Sequence, residues 1–185
     1  DVSGEQVAEL LMGLRQYQPN VRLTHFDLSN NAINTESGMT ALFEAFKNIT
    51  LSNPPDQGIQ MLNLSNNLIG NVGDFSTQVL GTNLTYLPQL QTLDLSQNWI
   101  GAWSDNGTNT LGKSIQYLTQ LKNLDLSNNW IGAKKDDGTQ AIGESLHYLS
   151  QLQTLDLSQN QIGNFGDNGT QAIGENLQYL TQLQT

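Results

Sequence analysis

The sequence predicts an α/β solenoid running through residues 1–185, in which short parallel strands alternate with helices, one pair to each repeat. Three observations carry that prediction. An asparagine follows a pair of alternating leucines at Asn31, Asn67, Asn98, Asn129 and Asn160, with spacings of 36 and then 31 three times. Residues 123–153 and 154–184 are identical at 21 of 31 positions. Within each unit the apolar period changes from about two residues to about 3.6, the signature of a strand followed by a helix.

The strand half reads Leu-x-x-Leu-x-Leu-x-x-Asn. It runs through Leu90, Leu93, Leu95 and Asn98, then Leu121, Leu124, Leu126 and Asn129, then Leu152, Leu155, Leu157 and Asn160. Two earlier units are looser, with Leu23, Phe26, Leu28 and Asn31, and Ile59, Leu62, Leu64 and Asn67. Alternation over a few residues marks a short strand with one buried face. The asparagine leaves the strand with an amide that can satisfy turn backbone groups otherwise buried without partners.

The helix half follows the turn. Leu111, Ile115 and Leu118 fall at i, i+4, i+7, as do Ile142, Leu146, Leu149 and Ile173, Leu177, Leu180, the stripe of a helix that buries one face. Asp137 with Gln140, and Asn168 with Gln171, have the spacing of a capping pair at a helix start. Gly112, Gly143 and Gly174 sit inside these helices, where glycine costs about 1 kcal/mol relative to alanine. Close approach of neighbouring helices is the expected reason. The first two anchors are 36 − 31 = 5 residues further apart than the rest, and the excess lies in "NITLSNPPDQG" at 48–58. Pro54-Pro55 cannot continue a helix, so a longer loop is expected there, either plain surface or a contact element. Residues 1–14 have the pattern of a helix whose strand is absent, and 181–185 open a unit whose strand never arrives. Both ends are therefore expected to be cut mid-repeat, within a longer array.

These units resemble leucine-rich repeats, and the continuation N-x-I-G…D-x-G-T-x-A-[IL]-G-x-x-L is similar to the ribonuclease-inhibitor-like class. The resemblance covers essentially the whole chain. It implies a leucine-rich repeat solenoid, a right-handed arc or horseshoe with parallel strands on the concave face and helices on the convex face. Two departures stand out: about three extra residues after Ile-Gly (Ala102–Ser104, Ala133–Lys135, Asn164–Gly166), and no cysteine where that class commonly has it.

Composition narrows the function. Charged residues make up 13% and the formal net charge is −10, which opposes a grip on nucleic-acid phosphates or anionic membrane surfaces. With no cysteine, disulfide frameworks, thiolate zinc sites and cysteine nucleophiles are excluded. No apolar run reaches the length of about 18 residues that a membrane span needs. The compartment is left open. Five N-x-[ST] sequons (Asn48, Asn63, Asn83, Asn106, Asn168) are of the kind a chain rich in Asn, Ser and Thr produces by composition.

Residues between the buried leucines point to the opposite face of each strand. They form a column of Asp27, Asn63, Asp94, Asp125 and Asp156, beside His25, Met61, Thr92, Asn123 and Thr154. Asp94, Asp125 and Asp156 are adjacent carboxylates, either ordinary repeat filler or an acidic strip for a basic protein surface. All three tryptophans fall in two neighbouring units. Trp99 and Trp130 follow their anchor asparagines, where the other units have Ala32, Leu68 and Gln161, so the repeat does not require tryptophan there. Trp103 lies in the inserted loop. These indoles either pack on one another and on loop backbone, or form an aromatic contact patch extended by Phe75 and Phe165, tryptophan being enriched at interface hot spots.

Nothing forms a catalytic constellation: His25 and His147 lie far apart in the array, and no nucleotide-binding motif, metal-ligand set or cofactor site is expected. The expectation is a protein-binding module that uses the concave face and a tryptophan-bearing rim. The alternatives are a carbohydrate-binding surface, with indoles on sugar faces, and an architectural segment of a larger assembly.

Overall fold

The computed structural model describes residues 1–18, 21–52 and 58–184. Helices and strands alternate along them: α1 (Gly4–Tyr17), β1 (His25–Asp27), α2 (Glu36–Ser52), β2 (Met61–Asn63), α3 (Phe75–Leu84), β3 (Thr92–Asp94), α4 (Asn106–Ile115), β4 (Asn123–Asp125), α5 (Asp137–Ser145), β5 (Thr154–Asp156) and α6 (Asn168–Asn176). The strands pair in chain order as one parallel sheet. Its register aligns Phe26, Leu62, Leu93, Leu124 and Leu155 in one row. The helices cover the leucine side of the sheet, so the molecule is an α/β solenoid with its strands on the concave face. The loop expected around Pro54-Pro55 lies outside the described residues.

Three-residue strands offer few ladder bonds, so the repeats need another link. The anchor asparagines supply it. Asn98 donates through Nδ2 to the carbonyls of Leu95 and Ser96 in its own turn and to Leu64 of the preceding repeat. Its Oδ1 accepts the amides of Asn67 and Ile69, also in the preceding repeat. Asn129 repeats the pattern on Leu95, Leu126, Ser127 and the Ile100 amide, and Asn160 on Leu126, Leu157, Ser158 and the Ile131 amide. Asn67 donates to Leu28, Leu64 and Ser65 and accepts from Ile33. At the first rung, where no strand precedes, the Asn31 side chain accepts the Val2 amide and the Val2 carbonyl accepts the Ala32 amide. That edge pairing keeps Asp1–Ser3 out of the helix, so α1 starts at Gly4 rather than at the first residue. Ser3 and Gln6 close a capping box there.

The capping pairs expected at Asp137–Gln140 and Asn168–Gln171 do not form. Gln140 and Gln171 reach forward to Glu144 and Glu175, and the residues preceding those helices make no side-chain cap of their own helix. Each helix start is instead satisfied from the repeat before it. Asp74, Asp105 and Asp136 accept the amides of Gly107, Gly138 and Gly169 respectively. A carboxylate at a helix N-terminus is favoured by the exposed amides and the dipole. Glycine is needed to admit it: a Cβ on Gly138 would stand 2.6 Å from both Asp105 Oδ1 and Thr108 Cβ.

The helices are shorter than the apolar stripe. After Ser145 and Asn176 the chain tightens into single 3₁₀ turns, whose i→i+3 geometry swings Leu149 and Leu180 back under the sheet. Leu118 and Leu149 are fully buried. On the last repeat the covering is missing: Leu155, Leu157, Ile162 and Ile173 are half-buried and Leu177 is exposed, whereas their counterparts one repeat earlier are buried.

The mid-helix glycines separate into two kinds. A Cβ on Gly112 would lie 2.7 Å from the Ile142 amide nitrogen, while Gly174 has nothing within 4 Å. Gly112→Ala should therefore destabilise this chain by about 1–3 kcal/mol through overpacking. Gly174→Ala should stabilise it by about 0.5–1 kcal/mol through backbone entropy alone. Urea unfolding midpoints of the two variants would check the pair, and equal effects would contradict the close approach.

Candidate functional site

The strand side presents two polar rows. Register pairs Asp94 with Asp125 and Asp125 with Asp156, so the three carboxylates stand on adjacent strands about 4.8 Å apart. Each aspartate is tied to its own repeat, with the amides of Ser96, Ser127 and Ser158 donating to Asp94, Asp125 and Asp156. The Ser158 hydroxyl and amide hold the Asp156 carboxyl below the usual carboxylate range, and Ser29 does the same for Asp27. In the neighbouring row Asn123 donates to Thr92 and Thr154 donates to Asn123. The rows line a shallow groove of about 550 Å³.

Beyond the anchor asparagines lies the rim. Its backbone is fixed by the repeat lattice, since Trp99 N–H donates to the Ile69 carbonyl and Trp130 N–H to that of Ile100. The two indoles stack with centroids 5.8 Å apart and planes 21° from parallel. They remain 41% and 42% exposed, and Leu68, at the same place one repeat earlier, is 40% exposed. Leu68 is held at φ 60°, an uncommon backbone for leucine. The rim is thus three large apolar residues on three successive repeats, bounded by Ala32 and Gln161. A cleft of about 300 Å³ runs beside them, lined by Trp99, Ala102, Trp130, Ala133, Lys134, Gln161 and Asn164.

Trp103 stands apart from the stacked pair. Its indole N–H donates to the Asn71 carbonyl of the preceding repeat, and its ring is 62% exposed. It occupies the tip of the inserted loop, where the aligned residues are Val72, Lys134 and Phe165. Val72, Phe165 and the nearby Phe75 are also exposed. Lys134 and Lys135 line a second cleft, of about 240 Å³, with Trp103, Asp105 and Asp137, and neither lysine has an ion-pair partner among the described residues.

Two features escape a strand-and-rim reading of the sequence. Tyr86, Tyr117, Tyr148 and Tyr179 recur every 31 residues and are all exposed, with His147 packed edge-on against Tyr148 and Tyr179. Their regular spacing was the available signal. The aspartates that cap the next helix are the other, since their partners lie 33 residues away. Among the described residues no group of His, Asp or Glu is arranged to hold a metal ion, and no helix is long and apolar enough to cross a membrane.

A family model described as Leucine Rich repeat matches residues 20–40, 82–102 and 148–174, each segment containing or abutting a strand-and-asparagine turn. Those three units are leucine-rich repeats by this match, and the fold of the array agrees. Solved structures share the fold over nearly the full length. The tropomodulin C-terminal domain of Caenorhabditis elegans is 14% identical, with a TM-score of 0.61 over 94% of this chain and 92% of that one. Leiomodin-1 actin-binding site 2 is 15% identical, with a TM-score of 0.58 over 94% and 91%. At such identities the likeness is one of fold. No curated protein matches the chain by sequence. Leucine-rich repeats commonly serve protein binding.

One site residue carries a measurable electrostatic load. Burial pushes the Asp105 carboxyl above the usual carboxylate range; the Gly138 amide opposes this, and Asp137, Asp136 and Asp74 add to it. A raised folded-state pKa contributes stability below the unfolded value that is lost as pH rises through the folded one. Asp105→Asn keeps an oxygen for the Gly138 amide and removes the charge. Its stability should gain on the wild type as pH rises from acid towards neutral, measured by urea unfolding across that range. A constant difference would contradict the role of burial.

Proposed function

We propose that this leucine-rich repeat chain binds a protein partner across two adjoining surfaces, the acidic strip of Asp94, Asp125 and Asp156 and the rim of Leu68, Trp99 and Trp130, with Trp103 at its outer edge. The observation that carries the reading is the stacked, half-exposed Trp99–Trp130 pair. The same position is filled by Ala32 and Gln161 elsewhere in the array, so its aromatic character serves something other than the repeat. Half-buried aromatics on a rigid backbone lose little conformational freedom on binding and make strong anchors. The acidic strip steers and orients a basic surface. No catalytic role is assigned.

Stacking also bears on the carbohydrate alternative. A sugar ring lies flat on an exposed aromatic face, yet Trp99 and Trp130 cover one face of each other. What remains at the rim is the outer face and edge of each indole beside a cleft, so the glycan array in the test below separates the two readings. The name of leiomodin-1 actin-binding site 2 supplies one defined candidate, actin, to offer to a chain of similar fold.

The test compares three immobilised baits: wild type, Trp99→Ala/Trp130→Ala, and Asp94→Asn/Asp125→Asn/Asp156→Asn, each with its fold checked by circular dichroism. Purified actin, a cell extract and a glycan array are offered to each. The expected outcome is a protein retained by wild type and lost by at least about tenfold on the tryptophan variant. The aspartate variant should retain it less well at low salt and show a weaker salt dependence. Equal retention on all three baits, or retention of glycans alone, would overturn the proposal.

A further inference from the structure

We infer that the rim receives an amphipathic α-helix of the partner, laid across the repeats along Leu68, Trp99 and Trp130. Its flank towards the strands carries basic side chains, and its flank towards the loop tips carries acidic ones. The inference rests on the protein-binding proposal above and adds the conformation and charge order of what binds.

Spacing is the first argument. The rim offers one apolar residue per repeat, with the two indole centroids 5.8 Å apart on strands separated by about 4.8 Å. A helix advances about 5.4 Å per turn, between those two values, so one apolar side chain per turn meets one rim residue per repeat. Such i, i+4, i+7 anchors are how helices dock in grooves. An extended segment repeats its same-face side chains every ~6.7 Å and a polyproline helix every ~9.3 Å. Both exceed the rim period and drift out of step within the three rungs available.

Shape is the second. Ala102 and Ala133 leave room beside the stacked indoles for the 300 Å³ cleft, which takes the side chain of a helix knob. The row ends at Ala32 on one side and Gln161 on the other, limiting contact to about three helical turns.

Charge is the third, and it fixes direction. In each repeat the chain passes from the strand through the anchor asparagine to the rim and then to the loop tip, as from Asp125 through Trp130 to Lys134. The rim therefore lies between opposite charges. Asp94, Asp125 and Asp156 stand on the strand side, and Lys134 and Lys135, without ion-pair partners, on the loop side. Lys134 lines both the rim cleft and the Trp103 cleft. Asp105 and Asp137 share the Trp103 cleft, but Asp105 is buried and engaged with Gly138, leaving Asp137 as the exposed acid beside the lysine pair. In a chain of net charge −10, two adjacent unpaired lysines beside an aromatic rim single out an acidic flank.

The test is selection, on the wild-type chain, of a displayed library of four-turn peptides with random residues. Binders to Trp99→Gln/Trp130→Gln are removed; Gln161 shows that the lattice accepts glutamine at this position. Enriched sequences should show apolar residues at a three-to-four spacing, with Lys or Arg on one flank and Asp or Glu on the other. A chosen peptide should gain helical circular dichroism on binding. It should lose at least about tenfold in affinity on the glutamine variant, and on Lys134→Glu/Lys135→Glu a version with basic side chains on both flanks should bind better than the original. Enrichment of extended or proline-rich sequences, of like-charged flanks, or of nothing would overturn the inference. So would phosphatidylcholine vesicles engaging the same tryptophans while no peptide does. If the baits described above retain a protein that binds the rim without a helix, this inference fails and the protein-binding proposal stands. If they retain none, both fail.

Discussion

One side-chain amide per repeat holds this molecule in register. Strands of three residues supply too few ladder bonds to fix an array, and the turn that follows each strand would bury backbone groups without partners. The anchor asparagine answers both needs at once, because an amide carries two donors and an acceptor. Its nitrogen binds carbonyls of its own turn and of the repeat before, and its oxygen takes an amide from the repeat before. Removing one such side chain would leave several buried groups unsatisfied, each costing about 1–3 kcal/mol. Asn67, Asn98 and Asn129 are almost wholly buried, consistent with a purely structural duty.

With the lattice fixed there, other positions are free to differ. At Ala32, Trp99, Trp130 and Gln161 the residue after the asparagine donates its backbone amide to the preceding repeat, which leaves the side chain free to vary. The aspartates divide in the same way. Asp74, Asp105 and Asp136 close the start of the next helix, whereas Asp94, Asp125 and Asp156 line the concave groove. Both sets occur in every late repeat, and only the structure tells them apart by what they touch.

The architecture was legible because it is periodic. Strand positions, register and the asparagine column follow from aligning repeats, and the Trp99–Trp130 adjacency follows from register alone. The helix caps were misread because local spacing at Asp137–Gln140 imitates a capping box, while the carboxylate that meets the Gly138 amide comes from Asp105 in the preceding repeat. The helix ends were overrun because Leu118 and Leu149 keep the apolar period after the backbone has tightened. Leu68 takes the rim position of its repeat with a left-handed backbone that the sequence does not display. Trp103 was grouped with the other two tryptophans by proximity in sequence, yet its N–H is committed to Asn71. Side-chain direction in an inserted loop depends on contacts that composition does not encode.

The account holds that the rim is presented by a rigid lattice rather than by a mobile loop. Amide hydrogen exchange of the free chain, resolved by NMR, tests this most directly. The Trp99 and Trp130 amides donate to carbonyls of the preceding repeat, and those of Ile100 and Ile131 to asparagine side chains of the following one. All four should exchange as slowly as the strand-edge amides of Leu95 and Leu126. Exchange of these four at the rate of the exposed loop tips, with Leu95 and Leu126 still protected, would show that the asparagine ladder does not hold the rim.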